Sequence, residues 1–580
     1  MSTFGLSDNR IKVLSCLVLG AVVLVSYLPT LSGRFILDDN PLIKNNDFLK
    51  EKHSIVSYFA QEDGVTDPRN TPDSYHTGYY RPLTSLSFRL DHILWGTNPI
   101  GFRTTNLILH ALTCLLLFQS LRLFVQNRQI AFWIVLLFAL HPVNTETVAW
   151  ASARNNILAT LFVLLSFFLY VRGWEERKHV CLTLSALSFA LAVASKEFGL
   201  LTLPIIFFYH RLLKVRERGI FLEILSYLPF VLITLGYFAL RKAVIGVWLT
   251  PVPETHFLDR VYFAPYLIAF NALITVLPHS LHNFIVDYPS SHLNWKAVGG
   301  VLFLMSLFFL SWKMRKNRLA VFAIVSFLFG LLPVLNIIPT SAVSLISMRW
   351  LYFPMAFLSF GAISIIGFGQ EKNRCLTFGI LCTVVVYFGT YSHILNRYLW
   401  HNEDTFLRQE VLNFRNYLYA GGLAESFFSK EEYEQAEKYF TIAMHHYPNN
   451  ARNGINYAAL LIDTGRPERA ISLLKSKKAF LITRKEEAEW HNNMGMAYFR
   501  MKDYTKASVY LKRATVIYPR EAAFWANLGA TYGEMGKFGR AVSILKQGSR
   551  EAGHSPLLEQ NLKAARGKLY GSHHETQLQL

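Results

Sequence analysis

The chain has 580 residues, of which 52% are hydrophobic and 14% aromatic, and its formal net charge is +19. This composition excludes a single soluble domain of ordinary type. The excess of positive charge does not indicate nucleic-acid binding, because many of the basic residues lie in short loops between apolar runs, where they orient membrane helices. We therefore predict a membrane protein with no nucleic-acid partner.

The character of the sequence changes near residue 397. Before that point, many apolar segments reach or approach the length of about 20 residues that a helix needs to cross the hydrocarbon core. They lie near 11–29, 103–124, 130–149, 156–172, 180–195, 199–212, 221–240, 263–277, 298–312, 319–338, 349–368 and 375–394. The first segment is followed by no convincing small-residue cleavage site, which favours a retained signal anchor over a cleaved signal peptide.

Basic loops orient these segments, because loops rich in Lys and Arg face the cytoplasm. The plainest are 211–218 and 313–318, with a weaker one at 172–178. Three apolar segments separate the first two loops, although loops on one side of a membrane need an even number of crossings between them. We predict that 263–277 is re-entrant or interfacial, since it is short and contains Asn271. About eleven crossings then remain, with the N-terminus inside and the C-terminus outside.

The C-terminal part repeats every 34 residues, with small and aromatic residues at fixed positions, which is the pattern of tetratricopeptide repeats built from paired helices. The repeats are predicted at 417–450, 451–487, 488–521 and 522–555, with a capping helix near 556–570. Such a superhelix presents a concave groove that suits a protein acceptor or partner. The predicted organisation is a membrane domain at 1–396 with a large outside loop at 30–102, a connector at 397–416, a repeat domain at 417–571 and a tail at 572–580.

Two adjacent carboxylates, Asp38 and Asp39, follow the first apolar segment on the predicted outside. Either could take a proton from an acceptor hydroxyl, and the pair could hold a divalent cation such as Mg²⁺ or Mn²⁺. The alternative is an exposed turn, because Asp-Asp-Asn-Pro is ordinary turn chemistry. No cofactor is otherwise indicated.

Cations also collect in the predicted outside loops. They are Arg81, Arg154, Lys196 and Arg349, accompanied by His141, Glu146 and Glu197. An Arg at the membrane face can bind a phosphate through two parallel hydrogen bonds, although it can also be an interfacial side chain that reaches toward water. With the acidic pair, this set suits an anionic lipid-linked donor. The cations would stabilise the charge that a phosphate gains as its bond to a sugar breaks.

Five motifs occur in this order in the membrane part. They are Asp-Asp at 38–39, Tyr-Arg-Pro-Leu at 80–83, His-Pro-Val-Asn-Thr-Glu-Thr-Val-Ala-Trp at 141–150, Ser-Lys-Glu at 195–197 and Arg-Trp-Leu-Tyr-Phe-Pro at 349–354. With the repeats behind them, they resemble the transmembrane and tetratricopeptide repeat-containing O-mannosyltransferases and their prokaryotic relatives. The resemblance covers nearly the whole chain, and the His-Pro-Val segment is its most specific motif.

This resemblance implies an all-α, polytopic GT-C membrane bundle, a polyprenyl- or dolichyl-phosphate sugar donor and repeats on the same side as the active site. It also implies that Asp38 or Asp39 is the catalytic base. The other motif positions, implied to bind donor phosphate or substrate, are Arg81, His141, Glu146, Arg154, Lys196, Glu197 and Arg349. One departure is Met348, since relatives usually carry an acidic residue there. Its loss would imply a different substrate or a weaker site if that acid orients the Arg or the acceptor.

The sequence therefore favours a glycosyltransferase that moves mannose or a similar monosaccharide to a protein hydroxyl on the non-cytoplasmic side, in a bacterial inner membrane with periplasmic loops. Two alternatives stay open. One is an envelope glycan polymerase or ligase that uses a lipid-linked sugar, and the other is a membrane-anchored repeat scaffold without activity. A transporter is disfavoured, because its charges should lie at mid-membrane rather than at the outer ends of the helices.

Overall fold

The computed structural model describes residues 8–62, 78–125, 127–213, 219–246, 248, 257–279, 281, 294–335, 337, 345–372 and 374–577. Lys214, Arg216 and Arg218 of the first basic loop lie outside these ranges. The chain divides into two compact units, Met1–Phe406 and Leu407–Leu580. The first unit ends ten residues beyond the predicted membrane domain, within the predicted connector.

The regular elements of the first unit are helices, and no β-strand occurs among its described residues. In chain order they are α1 (Asp8–Tyr27), α2 (Asp47–Lys50), α3 (Ile55–Phe59), α4 (Pro82–Trp95), α5 (Pro99–Leu121), α6 (Arg128–Leu140), α7 (Asn144–Ala149), α8 (Arg154–Glu175), α9 (His179–Ser195), α10 (Thr202–Leu212), α11 (Ile220–Ile245), α12 (Phe257–Val276), α13 (Trp295–Lys313), α14 (Arg318–Leu331), α15 (Tyr352–Lys372) and α16 (Arg374–Tyr398), followed at the unit boundary by α17 (Glu403–Arg408). The all-α prediction is confirmed.

Seven helical stretches of the described chain are long and apolar enough to cross a membrane, and four shorter apolar helices accompany them. The total of eleven agrees with the predicted number of membrane helices. The two sets of eleven helices differ in one member each. The long apolar helices include α12, which was predicted not to cross, and neither group contains α10, which was predicted to cross. The α-helical part of α10 has only 11 residues, since the residues before it form a 3-10 turn at Glu197–Leu201.

Short connections make neighbouring helices antiparallel, as the pair α8 and α9 illustrates. Ser166 Oγ donates to the carbonyl of Ser185 at 2.8 Å, and Ser185 Oγ donates to the carbonyl of Ser166 at 2.7 Å. Small side chains allow this close approach, as is usual between membrane helices. As a result, the start of α8 and the end of α9 lie at one end of the bundle, where the functional motifs meet.

The segment predicted to be short, 263–277, belongs to the 20-residue helix α12, so the argument from its length is wrong. This helix is also one of those long and apolar enough to cross a membrane, so the re-entrant or interfacial placement predicted for the segment has no support. The helices α12 and α13 begin side by side. The Asn294 amide, just before α13, donates to Tyr262 Oη at 2.9 Å, and Gly300 lies against the backbone of Pro265 and Tyr266. The first turns of α12 and α13 therefore pack against each other, and the two helices run in the same direction.

The first predicted outside loop is folded rather than extended. Its apolar side chains form one buried cluster with residues of α4, α5 and the loop before α8. The members are Phe35, Ile43, Phe48, Leu49, Tyr58, Phe88, Phe102 and Ala151. Burial of each large apolar side chain contributes roughly 1.5–3 kcal/mol. This cluster gives the Asp38–Asp39 turn a fixed support.

The second unit consists of helix pairs followed by a long last helix. They are α18 (Ala420–Phe428), α19 (Tyr433–His446), α20 (Ala451–Asp463), α21 (Pro467–Lys477), α22 (Arg484–Arg500), α23 (Tyr504–Ile517), α24 (Ala522–Glu534), α25 (Phe538–Glu551) and α26 (Pro556–Gln577). Glycines permit close packing within the pairs: Gly495 lies against Leu511, and Gly529 lies against Leu545 in the same way. The last helix extends six residues into the predicted tail.

The α12–α13 contact leads to a stability prediction. A Cβ at position 300 would lie 2.3 Å from the backbone nitrogen of Tyr266, whereas a Cβ at the adjacent Gly299 would meet nothing within 4 Å. We expect Gly300→Ala to destabilise the protein by about 1–3 kcal/mol, because backbone cannot yield as a side chain does. Thermal unfolding of the purified protein should show a lower midpoint for Gly300→Ala than for Gly299→Ala. Equal midpoints for the two variants would contradict this packing.

Candidate functional site

The two acidic residues of the first loop have different environments. Asp39 is completely buried, and its Oδ1 accepts from the Ser152 amide at 2.8 Å while its Oδ2 accepts from the Ile36 amide at 3.2 Å. The neighbouring Asp38 is exposed, and no described side chain hydrogen-bonds to its carboxylate. The turn is held by Leu37 at φ +44°, a conformation that non-glycine residues rarely adopt and that often marks functional sites.

Both carboxyl groups have raised pKa values. Burial raises the pKa of Asp39 to about 6, against the lowering effect of the Arg103 charge and of its hydrogen bonds. Partial desolvation raises the pKa of Asp38 above its usual value, although the nearby positive charge of Arg349 acts in the opposite direction. Of the two, only Asp38 has a carboxylate that an incoming hydroxyl group could reach.

Glu146 fixes the position of Arg349. Glu146 is completely buried, and its Oε1 accepts from Arg349 Nη1 at 2.6 Å and from Ser347 Oγ at 2.7 Å. Its Oε2 accepts from the backbone amide of Arg349 at 3.1 Å. The guanidinium of Arg349 also lies over the Trp150 ring, 4.6 Å from its centre. Arg349 is therefore held on three sides while part of its side chain remains exposed.

Met348 is buried in the short 3-10 turn Met348–Trp350, immediately before α15. The missing acidic residue does not leave Arg349 without a carboxylate, because Glu146 supplies one. Arg349 is therefore oriented without an acidic residue at position 348.

A second ion pair joins Arg81 to Glu197. Arg81 donates to Glu197 Oε2 from Nε at 3.2 Å and from Nη2 at 3.0 Å, and it lies 3.9 Å from the centre of the Tyr79 ring. Arg241 approaches the other oxygen of Glu197, with Nη1 3.8 Å from Oε1. Arg81 and the Lys196 charge outweigh burial and keep the pKa of Glu197 below its usual value. Glu197 is therefore paired with two arginines.

Lys196 lies between these two ion pairs. Its Nζ donates to Asn156 Oδ1 at 2.6 Å and lies 4.3 Å from the centre of the Phe198 ring. Burial lowers its pKa well below the usual value, and the positive charges of Arg81 and Arg349 lower it further. The charges of Glu197 and Glu146 oppose that shift. The hydrogen-bond partner of Lys196 is a neutral amide rather than a carboxylate.

These interactions identify which predicted residues come together. Six form one cluster, contributed by the first loop, the residue before α4, α7, the turn after α9 and the turn before α15, as their ion pairs and mutual electrostatic effects show: Asp38, Arg81, Glu146, Lys196, Glu197 and Arg349. They come from five separate stretches of sequence.

The other predicted substrate-binding residues are buried in structural roles. Arg154 is completely buried and donates to Asn106 Oδ1 at 2.7 Å, to the Phe102 carbonyl at 2.9 Å and to Asp91 Oδ2 in an ion pair. Its remaining bonds go to Ser87. These partners use its guanidinium, so the direct substrate contact predicted for Arg154 has no support in its position.

His141 is also part of the scaffold. Its Nε2 is bonded to the carbonyl of Thr275 at 3.0 Å, and its Nδ1 accepts from the Val143 amide at 3.3 Å. Burial lowers the pKa of His141 to about 3, so the ring is neutral at physiological pH. The ring joins the end of α6 to the end of α12 and offers no free nitrogen to a substrate.

Two arginines near the site were missed in the sequence. Arg103 is completely buried and donates to the carbonyls of Thr30 and Arg34, each at 2.5 Å. A Cβ on Gly33 would lie 1.8 Å from Arg103 Nη1, so the loop needs glycine there. Arg241 donates to the Gly78 carbonyl at 2.8 Å. Each arginine lies within or at the end of an apolar segment. Ionisable residues are rare at such positions, so this placement could have identified both arginines as functional candidates.

The acidic pair is not arranged as a pair of metal ligands. Both oxygens of Asp39 already accept backbone hydrogen bonds, which leaves Asp38 as the exposed carboxylate of the two. Within the described ranges, no group of three or more His, Cys, Asp or Glu side chains could hold a metal ion. The divalent-cation site considered for Asp38 and Asp39 has no geometric support here.

Comparisons with known proteins bear on both units. Residues 81–240 match the family described as "Dolichyl-phosphate-mannose-protein mannosyltransferase", and residues 488–520 match the tetratricopeptide repeat. The first match contains four residues of the six-residue cluster, from Arg81 to Glu197. Among solved structures, the oligosaccharyltransferase of Archaeoglobus fulgidus superposes with a TM-score of 0.41 at 12% identity, over 74% of this chain and 59% of that protein, which is too weak to carry a conclusion.

Several curated relatives are similar in sequence. "Protein O-mannosyl-transferase F38B6.6" of Caenorhabditis elegans is 33% identical over 193 residues, which are 33% of this chain and 27% of that protein. "Protein O-mannosyl-transferase TMTC2" of Homo sapiens is 34% identical over 211 residues, 35% of this chain and 25% of that protein. The chain spans about a quarter of the length of these relatives. The resemblance to the transmembrane and tetratricopeptide repeat-containing O-mannosyltransferases, inferred from the motifs, is thereby confirmed.

Proposed function

We propose that the protein is a GT-C-type glycosyltransferase. It transfers a monosaccharide, mannose or a similar sugar, from a polyprenyl- or dolichyl-phosphate donor to a hydroxyl group of a protein. The observation that carries this proposal is the exposed carboxylate of Asp38 within the field of Arg349, whose charge acts in turn on Lys196 together with that of Arg81. A base for the acceptor and a site for the donor phosphate then lie next to each other, as transfer requires.

The charge of the cluster suits a lipid phosphate. Arg81 and Arg241 share Glu197, Arg349 is bonded to Glu146, and Lys196 is bonded to a neutral amide. Cations therefore outnumber the carboxylates that pair with them. A bound phosphate would supply the missing negative charge, and the two glutamates would hold the cations in place before binding. Such preorganised charge stabilises a transition state without reorganisation during the reaction.

In the proposed reaction, the acceptor oxygen attacks the anomeric carbon of the sugar as its proton passes to Asp38. The bond between that carbon and the phosphate oxygen breaks, and the lipid phosphate leaves with one additional negative charge. Lys196, Arg349 and Arg81 stabilise this charge. Because the acceptor enters opposite the leaving phosphate, we infer inversion at the anomeric carbon.

The C-terminal repeats favour a protein acceptor over an envelope glycan, because a repeat groove serves a polypeptide and has no evident part in glycan polymerisation. We infer from the positive-inside bias that the reaction takes place on the non-cytoplasmic side, such as the periplasmic face of a bacterial inner membrane.

The central test separates the two aspartates. We expect Asp38→Asn to abolish transfer without changing thermal stability, since the exposed carboxylate has no described hydrogen-bond partner. Asp39→Asn should lower the unfolding midpoint, because an amide nitrogen cannot accept the backbone hydrogen bond that the carboxylate oxygen now accepts, and an unsatisfied buried group costs about 1–3 kcal/mol. The measurement is transfer of radiolabelled sugar from polyprenyl-phosphate donors to protein by purified enzyme, with thermal unfolding of each variant.

Label that reaches only glycan would overturn the protein acceptor. Full activity of Asp38→Asn would remove Asp38 as the base. Absence of turnover with every donor, together with unaltered behaviour of both variants in cells, would favour a repeat scaffold without activity.

The pH profile gives a second prediction. Asp38 must be deprotonated to act as a base, and its raised pKa means that kcat/KM should begin to fall at a higher pH than an ordinary Asp would give. Lys196 must be protonated to bind phosphate, and its lowered pKa means that kcat/KM should fall again well below the usual pKa of Lys. The profile should therefore be bell-shaped. Lys196→Arg keeps its charge to higher pH, so it should move only the alkaline limb. An unmoved alkaline limb in this variant would contradict the role of Lys196.

A further inference from the structure

Charge is divided unevenly between the two sets of helices in the last three repeats. The second helices of these repeats, α21, α23 and α25, together contain nine Lys or Arg residues and two Asp or Glu residues. The first helices, α20, α22 and α24, contain four and five. An excess of one sign on one set of helices indicates a partner of opposite charge for that set.

The second helices form the outer layer of the repeats. The first helices contact one another in chain order, whereas each second helix packs mainly on the first helix of its own repeat and on the helix that follows it. The packed side of α23 carries Ala507 and Leu511, which are completely buried. The same two positions are buried in the other repeats, at Ala470 with Leu474 and at Ala541 with Leu545. The opposite side of each second helix is therefore exposed.

Cations occupy two equivalent positions on that exposed side. The first position immediately precedes the buried alanine, and the second follows the alanine by five residues. We name these six residues the basic face: Arg469, Lys475, Lys506, Lys512, Arg540 and Lys546. All six are exposed. On each helix the two cations are about 120° apart, and the residue midway between them points outward. That residue is Ser472, Val509 or Ser543, which is exposed and uncharged in every case.

The helix α23 adds apolar side chains to the centre of the basic face. Val509 is 66% exposed, and Val516, about two turns further along the same side, is 64% exposed. Lys512 lies to one side of the two valines, with Lys506 and Arg513 on the other. Exposed apolar side chains with cations around them are typical of a helix that lies on a membrane, because the apolar groups enter the headgroup region while the cations contact anionic lipids.

Ion pairs within the protein do not neutralise the second position of the basic face. Among the described residues, Lys475, Lys512 and Lys546 form no ion pair, whereas Lys506 lies 2.8 Å from Asp503. A membrane is also close to the repeats. Leu407, where the second unit begins, follows the end of the apolar helix α16 at Tyr398 by nine residues, which span at most about 30 Å. An acidic protein would have to be recruited, so a lipid surface is the favoured partner.

We propose that the basic face binds the anionic phospholipid surface of the membrane in which the chain is embedded. The cations contact lipid phosphates, and Val509 and Val516 enter the headgroup region. Binding of this kind uses the outer layer of the repeats and leaves the first helices to a polypeptide. It requires no catalysis, so it does not depend on the proposed function.

The test compares the full-length protein in two kinds of nanodisc, one of phosphatidylcholine alone and one of phosphatidylcholine with an equal amount of phosphatidylglycerol. A water-soluble reagent acylates exposed lysines, and mass spectrometry gives the rate at each lysine. We expect the four lysines of the basic face to react several-fold more slowly in the anionic nanodiscs. The exposed lysines Lys485, Lys502 and Lys537, which lie outside the second helices, should react equally in both. The protection should disappear at about 1 M salt, where the screening length is about 3 Å.

A triple variant, Lys475→Glu with Lys512→Glu and Lys546→Glu, should abolish the protection of Lys506, the remaining lysine of the basic face. The matched control, Lys485→Glu with Lys502→Glu and Lys537→Glu, changes the net charge equally and should keep Lys506 protected. Thermal unfolding of both variants separates lost lipid binding from lost structure.

Equal acylation rates of the basic face in the two kinds of nanodisc would overturn the proposal, as would protection that persists at high salt or in the triple variant. Slow acylation in both lipid compositions that becomes fast when a co-purified protein is removed would assign the basic face to an acidic protein instead. Loss of sugar transfer without any change in protection would contradict the proposed function alone.

Discussion

The membrane unit depends on the burial of one carboxylate, that of Glu146. A carboxylate removed from water is tolerated only when charge and hydrogen bonds compensate it, because the desolvation cost amounts to several kcal/mol even after relaxation. Its compensation comes from Arg349, 203 residues away along the chain. The bonds reach both the backbone and the guanidinium of Arg349, so they fix where α15 begins and where its first cation lies. The candidate site is assembled around this requirement.

Much of the candidate site could be predicted from the sequence, because charged residues beside apolar runs are conspicuous. Arg349, Lys196 and Arg81 were found in this way, and the structure brings them together. The pattern could not separate them from Arg154, since two arginines at the edge of a membrane segment look alike. They differ in the partners of the side chain. Arg154 forms an ion pair with Asp91, which lies 63 residues away along the chain.

The sequence pattern also could not distinguish the two acidic residues from each other or give the length of α12. Asp38 and Asp39 are adjacent and chemically identical, and only the backbone conformation at Leu37 and the position of Ser152 make one exposed and the other buried. The length of α12 was underestimated because Asp259 and Arg260 make its first turn look polar. Arg260 is in fact buried. The positions of most apolar helices were predicted well, since they depend on local composition.

The last residues of the membrane unit are part of its candidate site. Trp150, which lies under the guanidinium of Arg349, stacks on Trp400 with ring centres 6.0 Å apart, and Trp400 contacts Phe406 at 5.5 Å. Arg34 also donates its amide to the carbonyl of His401 at 2.8 Å. A shortened protein that stopped at the end of the apolar helices would uncover one face of the indole on which Arg349 lies. Any independent form of this unit therefore has to continue through Phe406.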